Sequence, residues 1–424
     1  MRNNVNIKSK HYGRVSGSGH KRCPTLFLIL FFQKEGWSMK FGYFANLTNW
    51  DHRPYTQVLD ETREIAQYCD NTGWDSIWLT EHHLNHEGMD ACPNPLMICA
   101  DLAGRTKQIR LGQAANIITF RNPLRCAEDI AMLDHMSNGR VDVGVGRGVY
   151  GREAVHMNVN ADLKDQTKNF RLFDETLTIM KKAWTEKTFR HQGEFYKYPN
   201  PGFVWKHDMS PPNPDLVDMK THEMKKIGIV PHPLQQPHPP LWQVVDGHRS
   251  IDWAGRNGLK VIMWIPTVKA LKERFEVYQK ARSETENRSV PFGEGISLVR
   301  DMFVADSMDE ARDKAAEGLL TYLRWIAHWR GLGNHLNPGE TIPKTPGKLD
   351  LLTYEFLHPR NLLFGTAEYV SGKIEELRDE LKLQHLQVWS NFPCMKQEDV
   401  MSSIRKFTEE VMPKFEEKKT RRAV

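Results

Sequence analysis

Between residues 40 and 390 the sequence repeats one unit: a short apolar run, a turn, then a longer stretch whose apolar residues recur at helical spacing. Strands that return through a helix each time pair with one another in parallel, because the crossover brings the chain back to the same end of the sheet. The apolar runs are 40–46, 74–80, 109–118, 140–145, 241–246, 260–264, 296–304 and 386–390. Helices are expected at 55–71, 95–104, 124–136, 165–184, 250–256, 268–282, 309–329 and 366–381, with a last one over 398–412 before Pro413. Eight such units predict an α/β fold, a (β/α)8 TIM barrel, with an open doubly wound sheet as the alternative. Two irregular insertions, 188–240 and 331–364, interrupt the repeat.

Composition agrees with one large barrel. A chain of 424 residues that is 40% hydrophobic and 26% charged has ample material for a core. The net charge of +5 is spread over 58 basic and 53 acidic residues, which points to neither a nucleic-acid nor a membrane partner. Cys23, Cys69, Cys92, Cys99, Cys126 and Cys394 form no Cys-x-x-Cys pair, as suits a reduced, cytoplasmic chain. The N-terminal stretch differs from the rest: residues 2–24 are polar, basic and rich in Gly and Ser, and 26–32 are a short apolar run. This imitates a secretory signal but lacks a small-residue cleavage site. Residues 1–38 are therefore expected to be an unstructured leader or a mis-assigned start, with 39–424 forming the barrel from Met39 onward.

Polar clusters mark where chemistry would sit. The second strand runs straight into Glu81-His82-His83, at the end where such barrels present their functional groups. Three readings are open: metal ligands together with His86, a polar strand end paired with neighbouring loops, or an imidazole acid/base oriented by Glu81. Adjacent strand residues point to opposite faces, which weakens the first; imidazole changes charge near neutral pH, which favours the third. The third strand carries Gly112, Ala114 and Ala115, small residues that fit either a ligand's close approach or a tight barrel bend. After the fourth strand comes Gly146-Arg147-Gly148-Val149-Tyr150-Gly151. It matches the Gly-x-Gly-x-x-Gly dinucleotide pattern but stands after the wrong strand, holds an arginine, and lacks the acidic strand end that should follow. What remains is a glycine loop with a cation, suited to a phosphate. The insertion 188–240 reads as a lid, and Trp50, Phe120, Trp205 and Trp264 are expected to line an apolar pocket.

The stretches SIWLTEHH (76–83), GQAA (112–115), AEDIAMLDHMSNGRVDVGVGRGVYG (127–151), SIDWAGRNGL (250–259) and GTAEYVSGKIEEL (365–377) together resemble the bacterial luciferase-like flavin-dependent monooxygenases. The resemblance implies the same barrel, holding reduced flavin mononucleotide (FMN) at its mouth. It also implies reaction with O2 to a flavin hydroperoxide, which oxygenates a small apolar or aromatic organic substrate. By this resemblance His82 falls on the catalytic histidine, with Glu81 and His83 beside it, and which imidazole carries the proton chemistry is left open. Arg147 falls on the arginine that grips the flavin phosphate, with Gly148 and Tyr150 in the same loop, and Ser250 on a hydroxyl at the following helix start. Ala114 and Ala115 fall where the backbone bends against the flavin ring. Asp246-Gly247 replaces an acid followed by serine, leaving Gly247 only its backbone, and Gly146 replaces a reactive cysteine, which argues against light emission. The implied partners are the organic substrate, O2 and a separate NAD(P)H:flavin reductase, in a homo-oligomer with no metal. Two alternatives stand beside this: a deazaflavin-dependent reductase of the same superfamily, and a non-catalytic flavin-binding protein.

Overall fold

Eight parallel strands close into a ring in a computed structural model that describes residues 38–342 and 352–416. They are β1 (Lys40–Ala45), β2 (Ser76–Leu79), β3 (Arg110–Gln113), β4 (Val141–Gly146), β5 (Leu241–Val244), β6 (Lys260–Trp264), β7 (Ile296–Val304) and β8 (His385–Trp389). Each pairs with its neighbours in chain order, and β8 closes the ring by pairing Lys40 with His385. The surrounding helices are α1 (Tyr55–Asn71), α2 (Pro95–Ala103), α3 (Pro123–Met136), α4 (Gly151–Met157), α5 (Gln166–Thr185) and α6 (His248–Arg256). They continue as α7 (Val268–Glu286), α8 (Met308–Arg330), α9 (Tyr354–Asn361), α10 (Ala367–Leu381) and α11 (Gln397–Lys406). The starts follow local chemistry: Asn94 and Asn122 cap α2 and α3 ahead of Pro95 and Pro123, and Thr267, Ser307 and Thr366 cap α7, α8 and α10.

Strand alternation sorts the side chains into two layers. On β2, Ile77 and Leu79 face outward into the core beneath the helices, whereas Ser76 and Trp78 face into the barrel. Trp78 meets Trp242 edge-on at 5.3 Å, so the interior is filled rather than open. Gly112 belongs to this packing. A Cβ there would come within 2.3 Å of the Trp78 indole, so of the two readings of that glycine the tight barrel is the observed one.

The structure departs from the sequence expectations in several places. The third run stops at Gln113; the peptide joining Ala114 to Ala115 is cis, and pairing resumes at Asn116–Ile117 against β4. The glycine loop leads directly into α4, a helix that the periodicity did not indicate. The insertion 188–240 contributes no residue to the walls of the cavity at the mouth. Its first part reaches the start of α3, where Asn122 donates to the Tyr198 hydroxyl, and its end returns to the N-terminal end of β5. Gln235 accordingly binds Asp134 and Arg110 at the barrel base. Upstream, the Glu175 carboxylate clasps the backbone N–H groups of Glu194, Phe195 and Tyr196 against the flank of α5. The second insertion contains α9 and a short strand, Leu363–Gly365, that pairs with β7, while 343–351 lie outside the described residues. So does the expected leader, apart from Ser38. The five described cysteines are free thiols, and no described helix is long and apolar enough to cross a membrane.

Candidate functional site

At the C-terminal mouth a cavity of about 380 Å³ gathers Glu81, His82, Ala114, Ala115, Arg147, Gly148, Asp246, Gly247 and Ser250 on its walls. His83 and Tyr150 do not reach that wall. The expected aromatic residues are also elsewhere. Trp50 lies 41% exposed in a different groove and Trp205 is 45% exposed on the insertion. Phe120 packs against the His83 edge, and Trp264 donates to Asp301 with Arg330 over its face.

One side of the cavity is cationic. Arg147, at the end of β4, bonds only to neutral amides, Gln166 Oε1 at 3.3 Å and Asn169 Oδ1 at 3.1 Å. Its guanidinium lies 5.6 Å from the Phe170 ring centroid, and that of Arg249 lies 5.0 Å from the same ring. Burial, and then the like charge of Arg249, push the Arg147 guanidinium below its ordinary pKa. Among the described residues neither arginine has an ion-pair partner. Beside them α6 begins without a side-chain cap at Gly247, which leaves first-turn N–H groups for an anion. Ser250 is the third residue of that helix, and its hydroxyl donates to the Gly247 carbonyl at 2.8 Å. Gly148 has φ +86°, and a Cβ there would stand 2.9 Å from the Phe120 ring, so the loop can take this course only with glycine.

The opposite side is acidic and buried. The residues after β2 keep the strand's alternation, and His82 and His83 diverge. His83 Nε2 meets Glu81 Oε1 at 3.0 Å, and the same carboxylate accepts from Arg121 and from the Ile117 N–H. Glu81 thus ties the segment after Ala115 to the end of β2. His82 turns inward, with Nδ1 3.3 Å from Glu153 Oε1, off a hydrogen-bonding line, and Nε2 3.9 Å from Asp90 Oδ2. Burial alone would lower the His82 pKa, but Asp90 and Glu153 outweigh it and hold the imidazole above its ordinary value. Tyr150 stands behind this ring, 4.9 Å between centroids, and donates to Asp90.

Sequence reasoning missed Arg249, Phe170, Arg330, Asp90 and Glu153. Arg249 adjoins the quoted stretch that begins at Ser250 and was the one within reach. Asp90 and Glu153 gave no signal, since one lies in an irregular loop and the other in a helix that was not foreseen.

The luciferase-like monooxygenase family model matches residues 39–383. The chain belongs to that family. This luciferase-like monooxygenase is 27% identical to the oxygenase component of the flavin-dependent trigonelline monooxygenase of Acinetobacter baylyi, over 91% of its own length and 98% of the relative's. Its structure is similar, at a TM-score of 0.69 and 21% identity, to the oxygenating constituent of 3,6-diketocamphane monooxygenase of Pseudomonas putida, a type II Baeyer-Villiger monooxygenase solved with FMN. That match covers 89% of this chain and 98% of the other. An F420-dependent secondary alcohol dehydrogenase is similar at a TM-score of 0.62 and 18% identity, covering 88% of this chain and 98% of that one. What the two solved proteins share with it is the barrel. The family makes the luciferase-like chain an oxidoreductase of the flavin-dependent monooxygenases.

Proposed function

We propose that the chain is the oxygenase of a two-component system, taking reduced FMN from a separate NAD(P)H:flavin reductase and using O2 to oxygenate a small organic molecule. The observation that carries this is the pair of unpaired guanidiniums, Arg147 and Arg249, beside the uncapped start of α6. A dianionic phosphate would take charge-assisted hydrogen bonds from both arginines and from the helix N–H groups. The Ala114 to Ala115 backbone and the glycines of the β4 loop form a wall without bulky side chains, fit for a flat ring system. Reduced flavin, when bound, supplies the two electrons that activate O2. His82 faces that space and moves a proton there, and Glu81 holds the neighbouring wall in place through Ile117 and Arg121. The trigonelline relative, whose name states an oxygenase component, supports the two-component reading.

The test supplies separately reduced FMN and ¹⁸O2 with candidate organic substrates, against a control with NADH, oxidised FMN and the protein alone. The expected result is one labelled oxygen in product with reduced FMN and none in the control. Efficient NADH oxidation by the protein alone, or turnover with reduced deazaflavin and none with FMN, would overturn it.

A further inference from the structure

Asp90 lies in the loop between β2 and α2, 1% exposed, and among the described residues no lysine or arginine forms an ion pair with it. Three donors from three elements converge on its carboxylate. Asn46 Nδ2, just past β1, lies at 2.6 Å, Tyr150 Oη, after β4, at 3.0 Å, and Tyr322 Oη, within α8, at 2.9 Å. Asn46 is itself fixed by the Thr80 hydroxyl at 3.0 Å. A buried carboxylate without a cation is costly unless hydrogen bonds compensate it, and this fold commits three side chains to that end. The nearest group able to carry positive charge is His82, whose ring also rests against Tyr150.

We propose that Asp90 is the positioning residue for His82: steadied by Asn46, Tyr150 and Tyr322, its carboxylate supplies the counter-charge that presents the imidazole to the cavity as a proton donor. The proposal rests on the placing of His82 in the reaction given above, but it is tested without flavin, so the two can fail separately. The other groups facing His82 are accounted for. Glu153, from α4, approaches Nδ1 but also accepts the His83 N–H at 2.6 Å. Arg330, at the end of α8, opposes protonation, and Glu81 and His83 are engaged with one another. The Tyr150 and Tyr322 hydroxyls are held far above their ordinary range, first by burial and then by Asp90, so both remain neutral donors. Protonated His82 then balances one of two buried carboxylates that, among the described residues, have no arginine within ion-pair distance, Arg330 acting on Asp90 from farther away.

The experiment follows the His82 ring by NMR in full-length protein labelled with ¹⁵N-histidine, with His82→Gln used to assign the signal. The titration midpoint of the unmodified protein should lie above the ordinary value of about 6.5. In Asp90→Asn it should fall by about one pH unit or more, the usual effect of removing a close opposite charge. In Tyr322→Phe the carboxylate loses a donor and acts more strongly on the imidazole, so the midpoint should rise. Opposite shifts from two neighbouring variants are not what a merely structural loop produces. An Asp90→Asn protein that melts like the parent and keeps its His82 midpoint would overturn the proposal. If Asp90→Asn does not fold, Tyr322→Phe decides: a rise supports the proposal, and an unmoved or lowered midpoint overturns it.

Discussion

At the N-terminal end of the barrel, charged side chains surround a cavity of about 510 Å³ and are paired almost throughout. Lys40 meets Asp75 at 2.9 Å, Arg110 meets Asp142, and Arg282 binds Glu286 at 2.6 Å. Lys260 lies 4.9 Å from the Trp242 ring centroid, and His385 is held between Ser297 and Ser76. At the C-terminal end Glu81 pairs with Arg121 and Asp246 with Arg330, but the remaining charges are separated. The cations Arg147 and Arg249 stand on the β4 and α6 side, and the carboxylates Asp90 and Glu153 stand behind His82. Both ends are cavities with buried charge, so neither volume nor charge content tells them apart. What differs is how the unpaired charge is arranged: among the described residues the base leaves one cation, Lys260, without an ion pair, whereas the mouth leaves two guanidiniums side by side at an uncapped helix start.

The comparison can be broken at its acidic side first. His82→Ala should lower product formation by about 10² to 10⁴-fold, the range for a positioned proton-transfer group. Affinity for reduced FMN should change little, because the cationic wall is untouched. Coupled turnover near the parent's rate would move the proton chemistry to another residue, with His83 the next candidate. At the cationic side, Arg147→Ala should weaken reduced FMN by about 2 kcal/mol, roughly 30-fold, while riboflavin, which has no phosphate, should be nearly indifferent. Anaerobic titration by fluorescence checks this, and equal losses for both flavins would remove Arg147 from the phosphate.

The base should behave in the opposite way. Burial would raise the Asp75 carboxyl, but His385 and Lys40 win and hold it well below its ordinary value. A depressed carboxyl contributes stability that is present above its unfolded pKa of about 4 and is lost as pH falls through the folded value. Asp75→Asn should therefore lower the melting temperature at neutral pH and flatten the acid limb of its pH dependence. Reduced FMN affinity should stay at the parent's level. A large loss of flavin binding in this variant would show that the two ends are coupled, against the division drawn here.

How much of this was legible depended on how local each signal was. The β/α alternation is written in short windows, so the barrel and most strand positions could be read directly, and Trp78 with Gly112 shows why the third strand needed small residues. Glu81, His82 and Arg147 could be found because they sit at strand ends, where this fold displays its side chains. The Asp90 cluster could not, because its donors come from residues 46, 150 and 322, which only the closed barrel brings together. The insertion 188–240 is a different case. Proline and aromatic content suggested a cover, but composition does not say where such a segment packs: Tyr198 meets Asn122 at the start of α3, Gln235 binds Arg110 at the base, and no residue of 188–240 lines the cavity. Tyr150 was read together with its neighbours: the loop reaches the cavity at Arg147 and Gly148, while its tyrosine turns behind His82.

The unpaired cations at the mouth are tested most directly by anaerobic titration of the unmodified protein with reduced FMN and with reduced riboflavin at neutral pH. The two ligands differ only in the phosphate. With two guanidiniums and a helix N-terminus on that group, at about 1.5 kcal/mol or more for each charge-assisted contact, FMN should bind at least about 100-fold more tightly. Equal affinity for the two flavins would contradict the assignment of Arg147, Arg249 and the start of α6 to a phosphate.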